Sequence, residues 1–85
     1  MITTDQIRAA RALLRWSSAD LAEASGIGAA TIRRLEVQAG VPAVHAKTLQ
    51  AIQAALEGAG IEFVGTPQDS PGVRLSSKPL ASGQS

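Results

Sequence analysis

Residues 24–36, ASGIGAATIRRLE, set Gly26 and Gly28 two positions apart, directly ahead of a helix-like run that carries the adjacent arginines Arg33 and Arg34. Glycines at this spacing mark a tight turn. At 100° per residue, Ile32, Leu35 and Glu36 share one face of the run, and Ala30, Arg34 and Val37 share the opposite one. The spacing predicts a helix over 29–38 that buries the first set and presents the second outward.

Upstream, SSADLAEASG (17–26) places Ser17 as an N-cap with Asp20 at the third helical position, apolar Leu21 and Ala22, and Gly26 to end the helix in a left-handed conformation. This helix has barely two turns. Further upstream, TTDQIRAARALLR (3–15) opens with a capping box between Thr3 and Gln6 and predicts a helix over about 4–15. Its apolar stripe is Ile7, Ala10 and Leu14, with Arg11 in the middle. Glu36 points inward on its own helix. A guanidinium and a carboxylate are each costly to bury alone, and they fit each other through two parallel hydrogen bonds. Arg11 and Glu36 are therefore expected to form a buried ion pair.

Downstream, QAGVP (38–42) breaks the helix, and AVHAKTLQAIQAALEGAG (43–60) reads as a fourth helix with Leu49, Ile52 and Leu56 inward, stopped at Gly58 or Gly60. IEFV (61–64) and GVRL (72–75) alternate at β period and are divided by the turn-rich GTPQDSP, which predicts a two-stranded hairpin. Because a lone hairpin is barely stable, it is expected to pack on the helices or to pair across a dimer. The last ten residues, SSKPLASGQS, have almost nothing to bury and are expected to be disordered. The organisation read from the chain is thus a helical domain over 1–60, a hairpin over 61–75 and a tail over 76–85.

Composition bounds what such a chain can do. At 85 residues it is one domain, and a domain near this size buries only about 60% of its unfolded surface, so a dimer would help its stability. There is no cysteine, hence no disulfide and no thiolate metal site. The opening MITTDQIRAARALLRW lacks the continuous apolar core of a signal peptide or membrane span, and the expectation is a soluble cytoplasmic protein without a membrane partner. Eight Lys and Arg against seven Asp and Glu leave a net charge of +1, so only a local patch could hold phosphate. His45 is the sole histidine, which argues against a metal site, and no nucleophile–base arrangement or phosphate-cradling glycine loop accompanies it. Neither enzymatic activity nor a cofactor is expected. Trp16, the sole tryptophan, is expected to plug the joint between the first two helices.

Two short helices joined near Gly26 make a helix-turn-helix. The stretch SADLAEASGIGAATIRRLE (18–36), with Leu21, Ala22, Gly26, Ile27, Ile32 and Leu35 in their spacing, resembles the Cro/repressor-type (XRE-like) helix-turn-helix regulators. The resemblance extends over about residues 7–57 and takes in Arg11, Glu36, Pro42 and the apolar positions of the fourth helix. It implies a mainly α fold: a compact four-helix DNA-binding domain, here followed by the β-hairpin and tail. It also implies a double-stranded DNA partner, the third helix in the major groove and the second across the phosphates, commonly as a homodimeric repressor. By that resemblance Ser17 and Ser18 would donate to phosphate, and Gly28, Ala29, Ala30, Thr31, Arg33, Arg34 and Gln38 would face the DNA. Arg34 is the candidate for a bidentate contact to guanine, and Arg33 could hold a phosphate. The chain departs from the pattern at Ala29 and Ala30, which offer only methyl groups, at Gly28, which lacks a capping hydroxyl, and at Ser25, where a larger apolar residue is usual and looser packing is expected. An alternative role is an antitoxin-like or other protein-interaction subunit that binds a protein partner through the hairpin and tail.

Overall fold

The computed structural model describes residues 1–76: four helices, α1 (Thr4–Leu14), α2 (Ser18–Ser25), α3 (Ala29–Glu36) and α4 (Ala46–Gly58), followed by the strands β1 (Ile61–Thr66) and β2 (Asp69–Leu75). The fold is mainly α, with an antiparallel hairpin docked on the helices. One apolar core runs through it, built from Ile2, Ile7, Ala10, Leu21, Ile32, Leu35, Leu49, Ile52, Leu56 and Ile61. Full burial of each Leu or Ile contributes about 1.5–3 kcal/mol, which makes these periodic positions the main source of stability.

Helix starts are set locally. Thr3 and Gln6 form the capping box of α1, with Gln6 N–H donating to Thr3 Oγ1 at 3.1 Å and Thr3 N–H to Gln6 Oε1 at 2.9 Å. Ser17 and Asp20 do the same for α2 at 3.0 and 2.9 Å. In each case the residue before the cap and the fourth helical residue, Ile2 with Ile7 and Trp16 with Leu21, join the core or pack on it. This is the arrangement of a hydrophobic staple, which fixes the angle at which the chain enters the helix. Trp16 thus sits half-buried at the joint between α1 and α2.

Helix ends depart from the sequence expectations. α1 stops at Leu14, because Arg15 turns left-handed (φ 58°, ψ 39°) and its N–H donates to Ala12 O at 3.1 Å while Trp16 N–H donates to Arg11 O at 2.9 Å. These two bonds are those of a Schellman motif. α3 stops at Glu36, two residues short of the expected 38. Its end is held from elsewhere: buried Thr4 donates its N–H to Gly40 O at 2.9 Å and its hydroxyl to Gln38 O at 2.8 Å. Gly40 itself lies at φ 67°. Two tertiary bonds to the following loop thus draw the chain away from the helical path.

The hairpin is tighter than expected. Both strands extend into the GTPQDSP segment, leaving only Pro67 and Gln68 between them. The register pairs Ile61 with Leu75, Glu62 with Arg74, Phe63 with Val73 and Val64 with Gly72, and resumes at Thr66 with Asp69. Ser70 and Pro71 therefore oppose Gly65 alone, a bulge. Gly65 has φ 76°, and a Cβ there would overlap the Ser70 carbonyl. Ile61 is buried and Phe63 and Val73 pack on the helical core. Gln6 Nε2 fixes the hairpin to α1, donating to Val64 O at 3.1 Å and Gly72 O at 2.8 Å. The expected tail begins at Ser76, whose N–H donates to Gly60 O at 2.8 Å; the rest of it lies outside the described residues.

Candidate nucleic-acid interface

The scaffold beneath α3 is a charged joint between α1, α3 and the turn leading to α2. Arg11 Nε donates to Glu36 Oε2 at 2.8 Å and Arg11 Nη2 to Glu36 Oε1 at 2.7 Å, a bidentate pair, while Arg11 Nη1 donates to Trp16 O at 2.9 Å. The Glu36 side chain is 8% exposed and that of Arg11 20%. The hydrogen bond to Glu36 raises the Arg11 pKa above its ordinary value, aided by the charge of Glu36 and opposed by burial. From α1, Arg8 adds a bond from Nη1 to Glu36 O at 3.1 Å and pairs with Asp5. α3 is therefore fixed at its C-terminal end by two arginines of α1, one on its side chain and one on its backbone.

The turn between α2 and α3 is held by Gly26 in the left-handed region (φ 75°) and by Ser25. The Ser25 hydroxyl donates to Leu21 O at 2.7 Å, and its oxygen accepts from Ile27 N–H at 3.2 Å. Where looser packing is expected, this serine instead satisfies backbone groups at the turn. Gly28 caps α3 with extended backbone and no side-chain bond.

On α3, Ile32 and Leu35 are fully buried, and Gly28, Ala30, Arg33 and Arg34 are exposed, with Ala29 and Thr31 half-buried beside them. Arg34 Nη2 reaches Thr31 Oγ1 at 3.3 Å across the exposed face. Val37, which follows α3, is 84% exposed and continues the outward stripe of Ala30 and Arg34. Gln38 stands apart: it lies beyond the end of α3, and its Oε1 accepts from Ala43 N–H at 2.8 Å, bracing the loop toward α4. At the start of α2, Ser17 is exposed and Ser18 half-buried. The first helical bond of α2 is Leu21 N–H to Ser17 O at 3.1 Å, so the N–H groups of Ser18 and Ala19 remain at the helix end as donors. The Ser17 oxygen accepts the Asp20 N–H, which leaves the hydroxyl proton available to a second acceptor. The Asp20 carboxylate stands at the same end.

The cations divide by their partners. Arg8, Arg11 and Arg74 are paired with Asp5, Glu36 and Glu62. Among the described residues, Arg15, Arg33, Arg34 and Lys47 have no carboxylate partner. A shallow depression lined by Trp16, Asp20, Glu23 and Ala24 is open to solvent, and no group of three His, Cys, Asp or Glu is placed to hold a metal ion among the described residues. No helix among them is long and apolar enough to cross a membrane.

A short helix ending in a glycine turn, a second helix buried on Ile32 and Leu35, and unpaired arginines on its outer side define a helix-turn-helix domain of DNA-binding type. The helix-turn-helix family model matches residues 7–59, well over half of the chain, and the chain belongs to that family, the XRE-like helix-turn-helix regulators. It is a DNA-binding regulator by family, and the family is not an enzymatic one. Searches of curated proteins and of solved structures gave no match.

Proposed function

We propose that this chain acts as a cytoplasmic homodimeric repressor that lays α3 in the major groove of double-stranded DNA. The observation that carries the reading is the outward stripe of α3: Ala30 and Arg34 exposed, Arg33 beside them, and neither arginine engaged by a carboxylate. Arg34 reads guanine through its two-pronged donor set, Arg33 holds phosphate, and Ala29, Ala30 and Thr31 supply methyl contacts near the helix start. Ser17, Ser18 and the free amides of α2 hold the backbone phosphates. With Gln38 Oε1 accepting from Ala43 N–H, its amide NH2 is the group that donates to DNA.

Selection from random-sequence duplexes followed by sequencing tests this. A pseudo-palindrome with half-sites about one helical turn apart is expected, lost in the Arg33→Ala/Arg34→Ala variant. Salt-sensitive binding without any enriched sequence would refute base reading by α3. The hairpin favours one further role. Among the described residues its backbone ladder bonds run between its own two strands, with Ser76 extending it to Gly60, so neither outer edge is paired with a further strand. That edge is the proposed surface for a second copy or for a protein partner.

A further inference from the structure

Arg15 is the one arginine in the left-handed region, with φ 58° and ψ 39°. Glycine is the residue that adopts this conformation without strain, and the Schellman bonds of Arg15 and Trp16 keep the backbone there whatever the side chain. The Arg15 side chain is exposed and makes no hydrogen bond or ion pair among the described residues. Its charge also suits the negative end of α1, because Arg11, the other cation of the last turn, is neutralised by Glu36. A long cation thus stands where glycine would suit the backbone better. It lies two residues ahead of Ser17, the N-cap of α2, where the Asp20 carboxylate accepts from Ser17 N–H. The arginines then sort by role: Arg8, Arg11 and Arg74 are consumed by carboxylates, whereas Arg15, Arg33 and Arg34 all border the helix-turn-helix and have no carboxylate partner.

We propose that Arg15 is a DNA phosphate contact of this chain, an electrostatic anchor at the entry to α2 that offsets Asp20. It rests on the DNA-binding reading above and adds affinity without sequence information. The test compares the full-length wild type with Arg15→Gly and Arg15→Lys, using anisotropy on a labelled duplex over a salt series, with thermal melting alongside. Arg15→Gly is expected to bind several-fold more weakly at low salt, and to lose about threefold less affinity than the wild type between about 50 and about 200 mM salt, the signature of one phosphate contact removed. It should melt no lower than the wild type, and Arg15→Lys should retain the wild-type salt slope. An Arg15→Gly variant with wild-type affinity and slope overturns the proposal, as does loss of affinity accompanied by a lower melting temperature. If the wild type binds no duplex at all, the DNA reading falls and this inference with it; wild-type binding unaffected by Arg15→Gly removes Arg15 alone.

Discussion

Arg11 and Glu36 concentrate most of what single side chains do in this domain. Removal of one partner from a buried ion pair leaves the other charge uncompensated, so Glu36→Ala is expected to cost about 3–5 kcal/mol, measured by urea unfolding. A near-neutral result would mean that solvent already screens the pair. The Arg11 pKa is raised in the folded state, so the stability it contributes is complete at every pH below its unfolded value and fades only in strong alkali. Across about pH 6 to about pH 10 the guanidinium side of the pair should therefore add no slope to stability. The Glu62 and Arg74 pair behaves differently. Its hydrogen bond lowers the Glu62 carboxyl below the usual range, so its contribution exists above the unfolded value and disappears as pH falls through the folded one. Because both side chains are well exposed, Glu62→Gln should leave the unfolding midpoint unchanged in high salt. At the DNA face, Arg34→Ala should weaken operator binding by about 1–3 kcal/mol with unchanged melting, checked by titration against the selected duplex.

At the scale of elements, the hairpin depends on α1 through Gln6. Its amide satisfies two strand carbonyls at once, on Val64 and Gly72. Gln6→Ala removes both of these hydrogen bonds and half of the capping box, so a loss of about 1–3 kcal/mol is expected. Amide exchange should report it as selective loss of protection over 61–75, while α2 and α3 keep theirs. Uniform loss across the domain would show instead that the hairpin and helices unfold as one unit. Gly65→Ala tests the bulge: a Cβ meets the Ser70 carbonyl and the φ of 76° is wrong for alanine, so the variant should destabilise the hairpin more than Gly58→Ala, where the added atom meets open space. The starts of α1 and α2 were legible because caps are local chemistry, written as Thr3–Gln6 and Ser17–Asp20, whereas α4, read from residue 43, begins at Ala46, where His45 makes no side-chain cap bond. Ends were less so. The stop of α3 is imposed by Thr4, more than thirty residues away in sequence, and periodicity carries no sign of it.

For the whole molecule, the helical faces were visible in the spacing of Ile7, Leu21, Ile32, Leu35, Leu49, Ile52 and Leu56, all buried in the core. The hairpin's existence was visible in two alternating runs, and its length was not, because the bulge opposite Gly65 lets strand pairing continue through Pro71. The outward face of α3 followed from the same periodicity that buried its other side. What escaped the one-dimensional pattern was the second duty of residues already given one: Gln6 caps a helix and clamps a hairpin, and Ser25, read as a packing defect, ties the turn before α3.

The amino-acid sequence by itself determined the starts of α1, α2 and α3, the inward faces and the turn at Gly26, since these follow from interactions between residues three or four apart and from the conformational freedom of glycine. Only the tertiary structure decided where α1 and α3 end, how the hairpin is fixed to α1, and which arginines have no carboxylate partner. Each of those depends on which groups meet across the core. Arg11 is taken up by Glu36 on another helix, whereas Arg15, four residues later on the same chain, finds no carboxylate.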